Sequence, residues 1–417
     1  MRGASLLSDL VGRVADAGRG LMSAPPARDI ADLCEAVLSG KGEATGLAQA
    51  RAIFERYDAM TADRRRAFFG TLRDRFGVDA ARVEAAWAGR KEGDLRNLHT
   101  ASEPRSQELI RRLNRAPGGT RRLVAMRRDL LDFLAGDATL KPLDDDFRHL
   151  FSSWFNRGFL ELRSIDWSTP AAILEKIIRY EAVHEISGWD DLRRRVGAPD
   201  RRLYAFFHPA LADDPLIFVE VALTTGIPGD IGAILAESRE MLEPGQAETA
   251  VFYSISNCQA GLRGISFGNF LIKQVVEELR REFSGLDTFV TLSPVPDLRR
   301  WARENADALP PRLSKTASSD TPEASALAEL TAYYMLVARA DRGGATDPVA
   351  RFHLGNGARL ERIHPAADRS PRGMAGSWGV MVNYLYDLAT IERNHEAYST
   401  ADQVIAAPAV RRLLKSH

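Results

Sequence analysis

A glycine-spaced segment in the second half of the chain has the residue types that bind phosphate groups. It runs from Gln259 to Gly268 and places Gly261, Gly264 and Gly268 between a strand-like and a helix-like segment. Glycines at such a junction let backbone N–H groups turn toward an anion, and the helix N-terminus adds its positive dipole. The spacing matches neither the Walker A pattern nor the dinucleotide fingerprint. Two interpretations stay open here, a pyrophosphate site of another kind and a tight connection without a ligand.

Other side chains with chemical potential are scattered, and each has a structural alternative. His353 lies between Phe352 and Leu354, where a buried, hydrogen-bonded histidine is common, and Ser293 precedes a Pro-x-Pro where it could simply end a strand. Cys258 could be a nucleophile or a small packed residue. Histidine titrates near neutrality and often carries protons in enzymes. His353 is therefore a candidate proton donor with an expected pKa near neutrality.

The segments that carry these residues predict a mixed α/β region. Thr249–Ser256 and Asp287–Ser293 are β-prone, and residues 269–283 between them have helical periodicity, which together predict a βαβ unit. Arg202–Phe207 and Leu216–Leu223 flank a turn and predict a hairpin. Three further elements are predicted: a short strand at 159–162, a helix at 168–178 and a strand at 379–384.

The first half of the chain predicts helices. Leu123, Met126, Leu130 and Leu134 repeat at helical spacing, and glycine and proline breakers separate this run from others like it. Its arginine runs are typical of a solvated helical face. We therefore expect two domains: an all-α helical bundle over residues 1–157 with a role in subunit contacts, and a catalytic domain over residues 158–417.

Composition excludes several classes of protein. The chain has 417 residues with 56 basic and 56 acidic side chains, so its formal net charge is zero, which argues against nucleic-acid binding. Two distant cysteines, Cys34 and Cys258, make no disulfide framework and suit a reducing cytosol. No apolar run approaches a membrane span. Asp9 and Asp16 are unlike a transit peptide, so a cytoplasmic protein is expected.

Several phrases in this order and spacing resemble the malonyl-CoA decarboxylase family, as a set over residues 160–390. They are Tyr253-Ser-Ile-Ser256, Gln259-x-Gly-Leu-x-Gly-Ile265, Gly268-x-Phe-Leu-Ile-Lys273, Leu292-Ser-Pro-Val-Pro296, Asp347-Pro-Val-Ala-Arg-Phe-His-Leu354, Ser370-x-Arg-Gly373 and Asn383-Tyr-x-Tyr386, with Glu181-Ala-Val-His184 and Arg194-Arg-Val-Gly197 upstream. The resemblance implies an N-terminal helical oligomerisation domain and a GNAT-like mixed α/β catalytic domain of the acyltransferase fold. The overall fold class is then α+β with two domains.

The resemblance also implies roles for individual residues. The catalytic pair of the family falls on Ser293 and His353, and its supporting serine and tyrosine fall on Ser254 and Tyr386. In a GNAT-like fold the glycine segment and the following helix hold the pyrophosphate of coenzyme A. The expected substrate-binding residues are Ser256, Gln259, Gly261, Gly264, Gly268 and Asn383.

The implied reaction converts malonyl-CoA to acetyl-CoA and carbon dioxide without metal or other cofactor, because the thioester carbonyl itself takes the electrons. Hydrogen-bond donors aimed at the resulting oxyanion usually supply the largest stabilisation. We expect backbone N–H groups between Tyr253 and Ser256, at a widened strand edge, to act this way. Ser293 would hydrogen-bond the malonyl carboxylate or the histidine, and Asn383 and Tyr386 would orient the carboxylate.

Two other functions remain open at this level. A CoA-dependent acyltransferase of the same fold would need an acidic general base and a second cleft for its acceptor, and the sequence offers no comparable acidic motif. A non-enzymatic acyl-CoA sensor would bind the thioester without turnover. The expected partners are malonyl-CoA, acetyl-CoA and further copies of the chain as a homodimer or homotetramer, with neither nucleic acid nor a membrane.

Overall fold

The computed structural model describes residues 29–39, 42–90, 95–265, 271–340 and 343–414. Contacts group the chain into two compact units. Of the described residues, the first unit contains those up to Leu160, His208–Ala212 and the part of the glycine segment from Gln259 to Ile265. The second contains Glu161–Phe207, Asp213–Cys258 and the described residues from Leu271 onward. The predicted boundary between residues 157 and 158 stays a prediction.

The described part of the first unit is built from helices joined by short turns, as the periodicity predicted. The helices are α1 (Ile30–Leu38), α2 (Glu43–Asp58), α3 (Ala62–Phe76), α4 (Ala80–Ala88), α5 (Arg96–Ser102), α6 (Arg105–Asn114), α7 (Gly119–Leu134) and α8 (Lys141–Trp154). Side-chain caps begin two of them, since Thr61 accepts from the Arg64 amide and Asp79 from the Arg82 amide. Leu123, Met126 and Leu130 of α7 are buried, so the predicted inward face is confirmed at these positions.

A buried arginine ties the glycine segment to α7 within this unit. Arg127, only 1% exposed, donates to the Asp144 carboxylate at 2.9 Å and to the carbonyls of Gly261 and Arg263 at 2.7 and 3.0 Å. A Cβ on Gly261 would lie 1.9 Å from the Val124 carbonyl oxygen. Close packing therefore requires glycine at position 261, whatever the segment binds.

The second unit contains one mixed sheet. Its strands are β1 (Glu161–Ile165), β2 (Arg201–Phe207), β3 (Ile217–Thr224), β4 (Thr249–Asn257), β5 (Thr288–Thr291), β6 (Ser293–Pro294), β7 (Arg359–His364) and β8 (Met381–Leu385). The order is β1-β2-β3-β4-β5-β8-β6, and β7 pairs with β8. β2 and β3 form the predicted antiparallel pair, and β4 and β5 are parallel, as a βαβ unit requires.

Helices cover this sheet and connect its strands. They are α9 (Ala171–Tyr180), α10 (Trp189–Gly197), α11 (Ile231–Leu235), α12 (Leu271–Glu282), α13 (Leu298–Glu304), α14 (Pro311–Ala317), α15 (Ala324–Leu336), α16 (Pro348–Gly355), α17 (Pro371–Ser377), α18 (Ile391–Ala401) and α19 (Pro408–Arg412). α12 is the crossover between β4 and β5 and buries Leu271, Val275 and Leu279. The predicted fold class, a helical unit followed by a mixed α/β unit, is confirmed. Among the described helices none is long and apolar enough to cross a membrane.

The sheet opens where β4 and β5 part. The pairing of these strands runs from Thr249 with Thr288 to Phe252 with Thr291, and one further bond joins the Leu292 amide to the Phe252 carbonyl. β4 continues to Asn257, whereas β6 pairs with β8 instead. On its other side, β4 carries one extra residue opposite β3, so that Phe252 and Ser254 face consecutive residues of β3. This β-bulge at the fork is the widened strand edge expected from the sequence.

Replacing Gly261 with Ala should destabilise the protein by about 3 kcal/mol, because the new Cβ has no room against the α7 backbone. The test is denaturant-induced unfolding, with the midpoint and slope compared with those of the wild type. Gly46→Ala is the control, since Gly46 lies in α2 with open space around it and the change should stabilise the helix by about 1 kcal/mol. Equal stability of the two variants would contradict the packing argument.

Candidate active site

A cavity of about 230 Å³ occupies the fork between β4 and the β5–β6 segment of the second unit. Its polar side is formed by Ser293 and His353, and Asn257 lies at the end of β4. The remaining walls are largely apolar, formed by Val183, Ile217, Phe252, Ile255, Val349 and Phe352. A small apolar cleft with a few convergent polar groups is the usual form of a ligand site.

His353 reaches the cavity from α16, whose start is well defined. The Asp347 carboxylate caps the helix by accepting from the Ala350 amide at 2.8 Å, and Pro348 occupies the first turn, where its fixed φ suits a helix. His353 follows in the second turn and is 3% exposed. The Asp-Pro pair therefore sets where the helix begins, and hence where the histidine ring lies.

Two hydroxyl groups bond to the imidazole of His353, and the ring of Tyr384 stacks on it. Nε2 lies 3.2 Å from the Ser293 Oγ, and Nδ1 lies 2.8 Å from the Tyr386 hydroxyl. Ser293 in turn donates to the Thr291 hydroxyl at 2.9 Å. The ring stacks on Tyr384, with centroids 4.6 Å apart and planes 22° apart. The structure thus brings together Ser293, His353 and Tyr386, which the resemblance implied as a group.

Burial keeps His353 uncharged in the free protein. Loss of hydration lowers its pKa to about 3. The expectation of a pKa near neutrality is therefore wrong for the unliganded site. Burial also raises the pKa of Tyr386 well above its usual range, so this hydroxyl keeps its proton and can donate to Nδ1. The hydrogen bonds are consistent with a neutral imidazole whose proton is on Nε2, on the side of Ser293 and the cavity.

Ser254 and Ser256 lie on the bulged part of β4 and bond to one carboxylate. The Ser254 hydroxyl donates to the Glu181 carboxylate oxygens at 2.8–2.9 Å, and the Ser256 hydroxyl donates to the same group at 3.2 Å. Both serines are 1% exposed. Their expected roles in catalysis and substrate binding stay predictions, and the structure shows them anchoring the strand.

Both the oxygen and the nitrogen of the Asn383 side-chain amide form hydrogen bonds. Its oxygen lies 2.5 Å from the His364 Nε2, and its nitrogen donates to the carbonyls of Pro228 and Thr291 at 3.2 and 2.8 Å. These contacts fix the middle of β8. Orientation of a substrate carboxylate by Asn383 stays a prediction.

The glycine segment lies in the first unit, and its expected binding roles stay predictions. Gln259, Gly261 and Gly264 are described, and Gly264 has a positive φ of 77°. Gly268 lies outside the described residues.

Two further residues, a candidate nucleophile and the lysine of a family motif, have packing or ion-pair contacts. Cys258 is buried, which raises its pKa, so a thiolate nucleophile is not favoured there. Lys273 is ion-paired with Glu392.

Three contact residues of the site had no role assigned from the sequence: Thr291, Tyr384 and Glu181. Thr291 lies two residues before Ser293, so strand alternation alone would place both on one face. Tyr384 precedes Tyr386 by two residues and follows the same rule. Glu181 lies about seventy residues from its serine partners, and no local spacing could indicate that contact.

Comparison with known proteins gives the family of the chain. The family model described as the malonyl-CoA decarboxylase C-terminal domain matches residues 158–417, and that of the N-terminal domain matches residues 76–155. The protein of the goose Anser anser anser named malonyl-CoA decarboxylase, mitochondrial, is 36% identical over 408 residues, covering 85% of this chain and 81% of the relative.

Solved structures extend the comparison to three dimensions. The crystal structure of malonyl-CoA decarboxylase from Rhodopseudomonas palustris is 51% identical with a TM-score of 0.88, covering 92% of this chain and 98% of the other. That from Agrobacterium vitis is 53% identical with a TM-score of 0.87, covering 93% and 100%. From sequence, domain content and fold together, the chain belongs to the malonyl-CoA decarboxylase family, a family of carboxy-lyases.

Proposed function

We propose that this protein converts malonyl-CoA to acetyl-CoA and carbon dioxide without a cofactor, through a thioester enolate that receives a proton from His353. The observation that carries the proposal is the Ser293–His353–Tyr386 chain of hydrogen bonds, which ends in the cavity at the fork of the sheet. Family membership favours this lyase over the acyltransferase and over the acyl-CoA sensor.

In the first step the bond between the malonyl carboxylate carbon and the methylene carbon breaks. Its electron pair moves into the thioester, whose oxygen becomes the enolate oxyanion, and carbon dioxide leaves. The thioester carbonyl is the electron sink, so no metal, pyridoxal or other cofactor is required by the chemistry. What the protein must supply is a set of donors at the oxyanion and a proton for the carbon.

Backbone amides of β4 are the proposed oxyanion donors. The Phe252 carbonyl points to β5, whereas the Cys258 amide bonds to the Leu216 carbonyl on the β3 side. The extra residue at the bulge reverses the alternation of the strand, so the amides of Ile255 and Asn257 face the open side. Both residues line the cavity. β4 thus presents two amide donors at the place where continued pairing with β5 would have occupied them.

His353 then supplies the proton from its neutral Nε2. A thioester enolate carbon is a stronger base than an imidazolate, so the transfer does not require an imidazolium. Tyr386 donates to Nδ1 and holds the ring in the required tautomer, and Ser293 holds its orientation. The imidazolate regains a proton from solvent as acetyl-CoA leaves, and the overall reaction consumes one proton.

The remaining expectations from the sequence are part of this proposal. The glycine segment is proposed to bind the pyrophosphate of coenzyme A, and the chain is proposed to form a homodimer or homotetramer. Cytoplasmic location stays a prediction, and the goose and rat relatives carry the word mitochondrial in their names. A place in fatty acid metabolism follows from the proposed substrate.

The His353→Asn substitution should lower kcat by about 10²–10⁴-fold, because the enolate loses its proton donor. The measurement follows acetyl-CoA formation from malonyl-CoA by chromatography, with a chelator present and no cofactor added. The affinity for acetyl-CoA, measured by calorimetry, should change by less than a few fold. His99→Asn is the matched control, because His99 is exposed in α5. Normal turnover by His353→Asn would remove the histidine from this role.

The pH profile tests the charge state of the donor. Since the pKa of His353 is about 3, the ring is neutral throughout the range from pH 6 to 8, and kcat/KM should show no break due to this residue. If kcat/KM instead falls tenfold for each unit that pH rises across that range, the imidazolium is the donor.

Acidification should destabilise the protein through His353. Its pKa is about 3 in the folded state and about 6.5 in the unfolded state, so between these values only the unfolded state binds the proton. Stability therefore falls as pH drops below 6.5, by about 2 kcal/mol from pH 7 to pH 5. Denaturant unfolding at both pH values should show this loss in the wild type and in His99→Asn. His353→Asn should lack the part of the stability loss that comes from protonation of the histidine. An equal loss of stability from pH 7 to pH 5 in all three proteins would refute the low pKa of His353.

A further inference from the structure

The carboxylate of Glu181 accepts several hydrogen bonds at the bulge of β4. It accepts the hydroxyl protons of Ser254 at 2.8–2.9 Å and of Ser256 at 3.2 Å. It also accepts the backbone amides of Val183 at 2.7 Å and His184 at 2.8 Å. One side chain therefore joins the loop after α9 to the strand that carries the proposed oxyanion donors.

This loop forms part of the cavity wall. Val183 lines the cavity together with Tyr253 and Ile255 of β4. The Ala182 amide donates to the Ser256 hydroxyl at 3.2 Å, so the loop and the strand are also joined directly. A change in the position of Glu181 would move both the wall and the strand.

A second buried group fixes the same loop from the other side. Arg195 of α10 donates to the carbonyls of His184 and Glu185, each at 2.8 Å. It also contacts the Glu220 carboxylate at 3.3–3.4 Å, and Glu220 is fully buried opposite Ser254 at the bulge. Burial raises the pKa of Glu220 to about 8, and the buried Arg195 guanidinium requires such partners. The loop is thus tied to the bulge through Arg195 as well as through Glu181.

We propose that Glu181 is a positioning residue for decarboxylation, and that Ser254 acts through Glu181 rather than on the substrate. A serine hydroxyl has a single proton to donate, and in Ser254 that proton is directed to the carboxylate. Ser254 then has none to offer to the thioester oxygen or to the malonyl carboxylate. Its contribution is to hold the Ile255 and Asn257 amides in place. The inference rests on the mechanism proposed above.

The expected effect is on turnover more than on binding. The amides must meet an oxyanion that exists only after carbon dioxide begins to leave, so their displacement weakens the transition state selectively. A misplacement of 1 Å can cost about 10²-fold in rate. Glu181→Ala should accordingly lower kcat by about 10²-fold, with a change in KM of only a few fold.

The experiment is a double-mutant cycle on Glu181 and Ser254, with malonyl-CoA turnover as the readout. Ser254→Ala alone should lower kcat by about tenfold, a part of the Glu181→Ala loss, because only one of the four donors is removed. In the Glu181→Ala background it should cost less than about twofold, since residues that act as one unit are not additive. Glu181→Gln keeps a carbonyl oxygen for the Val183 and His184 amides and should recover most of the lost kcat.

Glu175→Gln is the matched control, because Glu175 is an exposed carboxylate of α9 with no role in the site. It should retain the kcat of the wild type. If Glu181→Ala does not fold, Glu181→Leu, which fills the same space but also lacks the acceptor oxygens, replaces it in the same cycle with Ser254→Ala.

Two results would overturn the positional role. One is that the Glu181→Ala and Ser254→Ala losses in kcat multiply in the double variant, which would mean that Ser254 acts on the substrate directly. The other is wild-type kcat in Glu181→Ala while His353→Asn remains inactive. Full turnover by His353→Asn, in contrast, would refute the proposed mechanism itself, so the two failures are distinguishable.

Discussion

The separation of β4 from β5 after Phe252 is the constraint on which the site depends. A strand that loses its neighbour leaves amides without partners, and a buried amide without a partner costs about 1–3 kcal/mol. Beyond the bulge opposite β3, Ile255 and Asn257 of β4 line the cavity. The fork therefore creates the space in which the proposed acyl group would meet its proposed oxyanion donors. The hydrogen bonds from Ser254 and Ser256 to the Glu181 carboxylate hold β4 in place beside this opening.

Burial of His353 is the second determinant of the chemistry. The ring is enclosed by Tyr384 and Phe352 and is held by neutral hydroxyls, so nothing in its immediate contacts favours the charged form. A neutral proton donor suits the proposed reaction, because its intermediate is a strong carbon base. Charge instead collects at a different place, around Glu181 and Arg195, where it holds the backbone. The proposed proton donor is thus separate from the groups that hold the backbone of the site.

Much of the fold could be predicted because its elements have strong periodicity. Helical spacing in α7 and the β-prone runs of β2, β3 and β4 each fit one type of secondary structure, and the structure has them within a residue or two. The strand predicted at residues 287–293 is divided, because the chain leaves β4 after Thr291 and pairs with β8 from Ser293. Only the competition between two partner strands determines that break, and a single segment carries no information about it.

For the site, the sequence by itself determined which residue types are present and, through ordered motifs, the family to which they belong. It also determined the neighbours that follow from alternation, such as Thr291 beside Ser293. Only the tertiary structure decided the pKa of His353, because hydration is lost to residues distant in the chain. It likewise decided the partner of Ser254, since Glu181 lies seventy-three residues away, and it showed that Gly261 packs against the Val124 carbonyl. Burial and long-range contact are properties of the folded chain, and local spacing does not specify them.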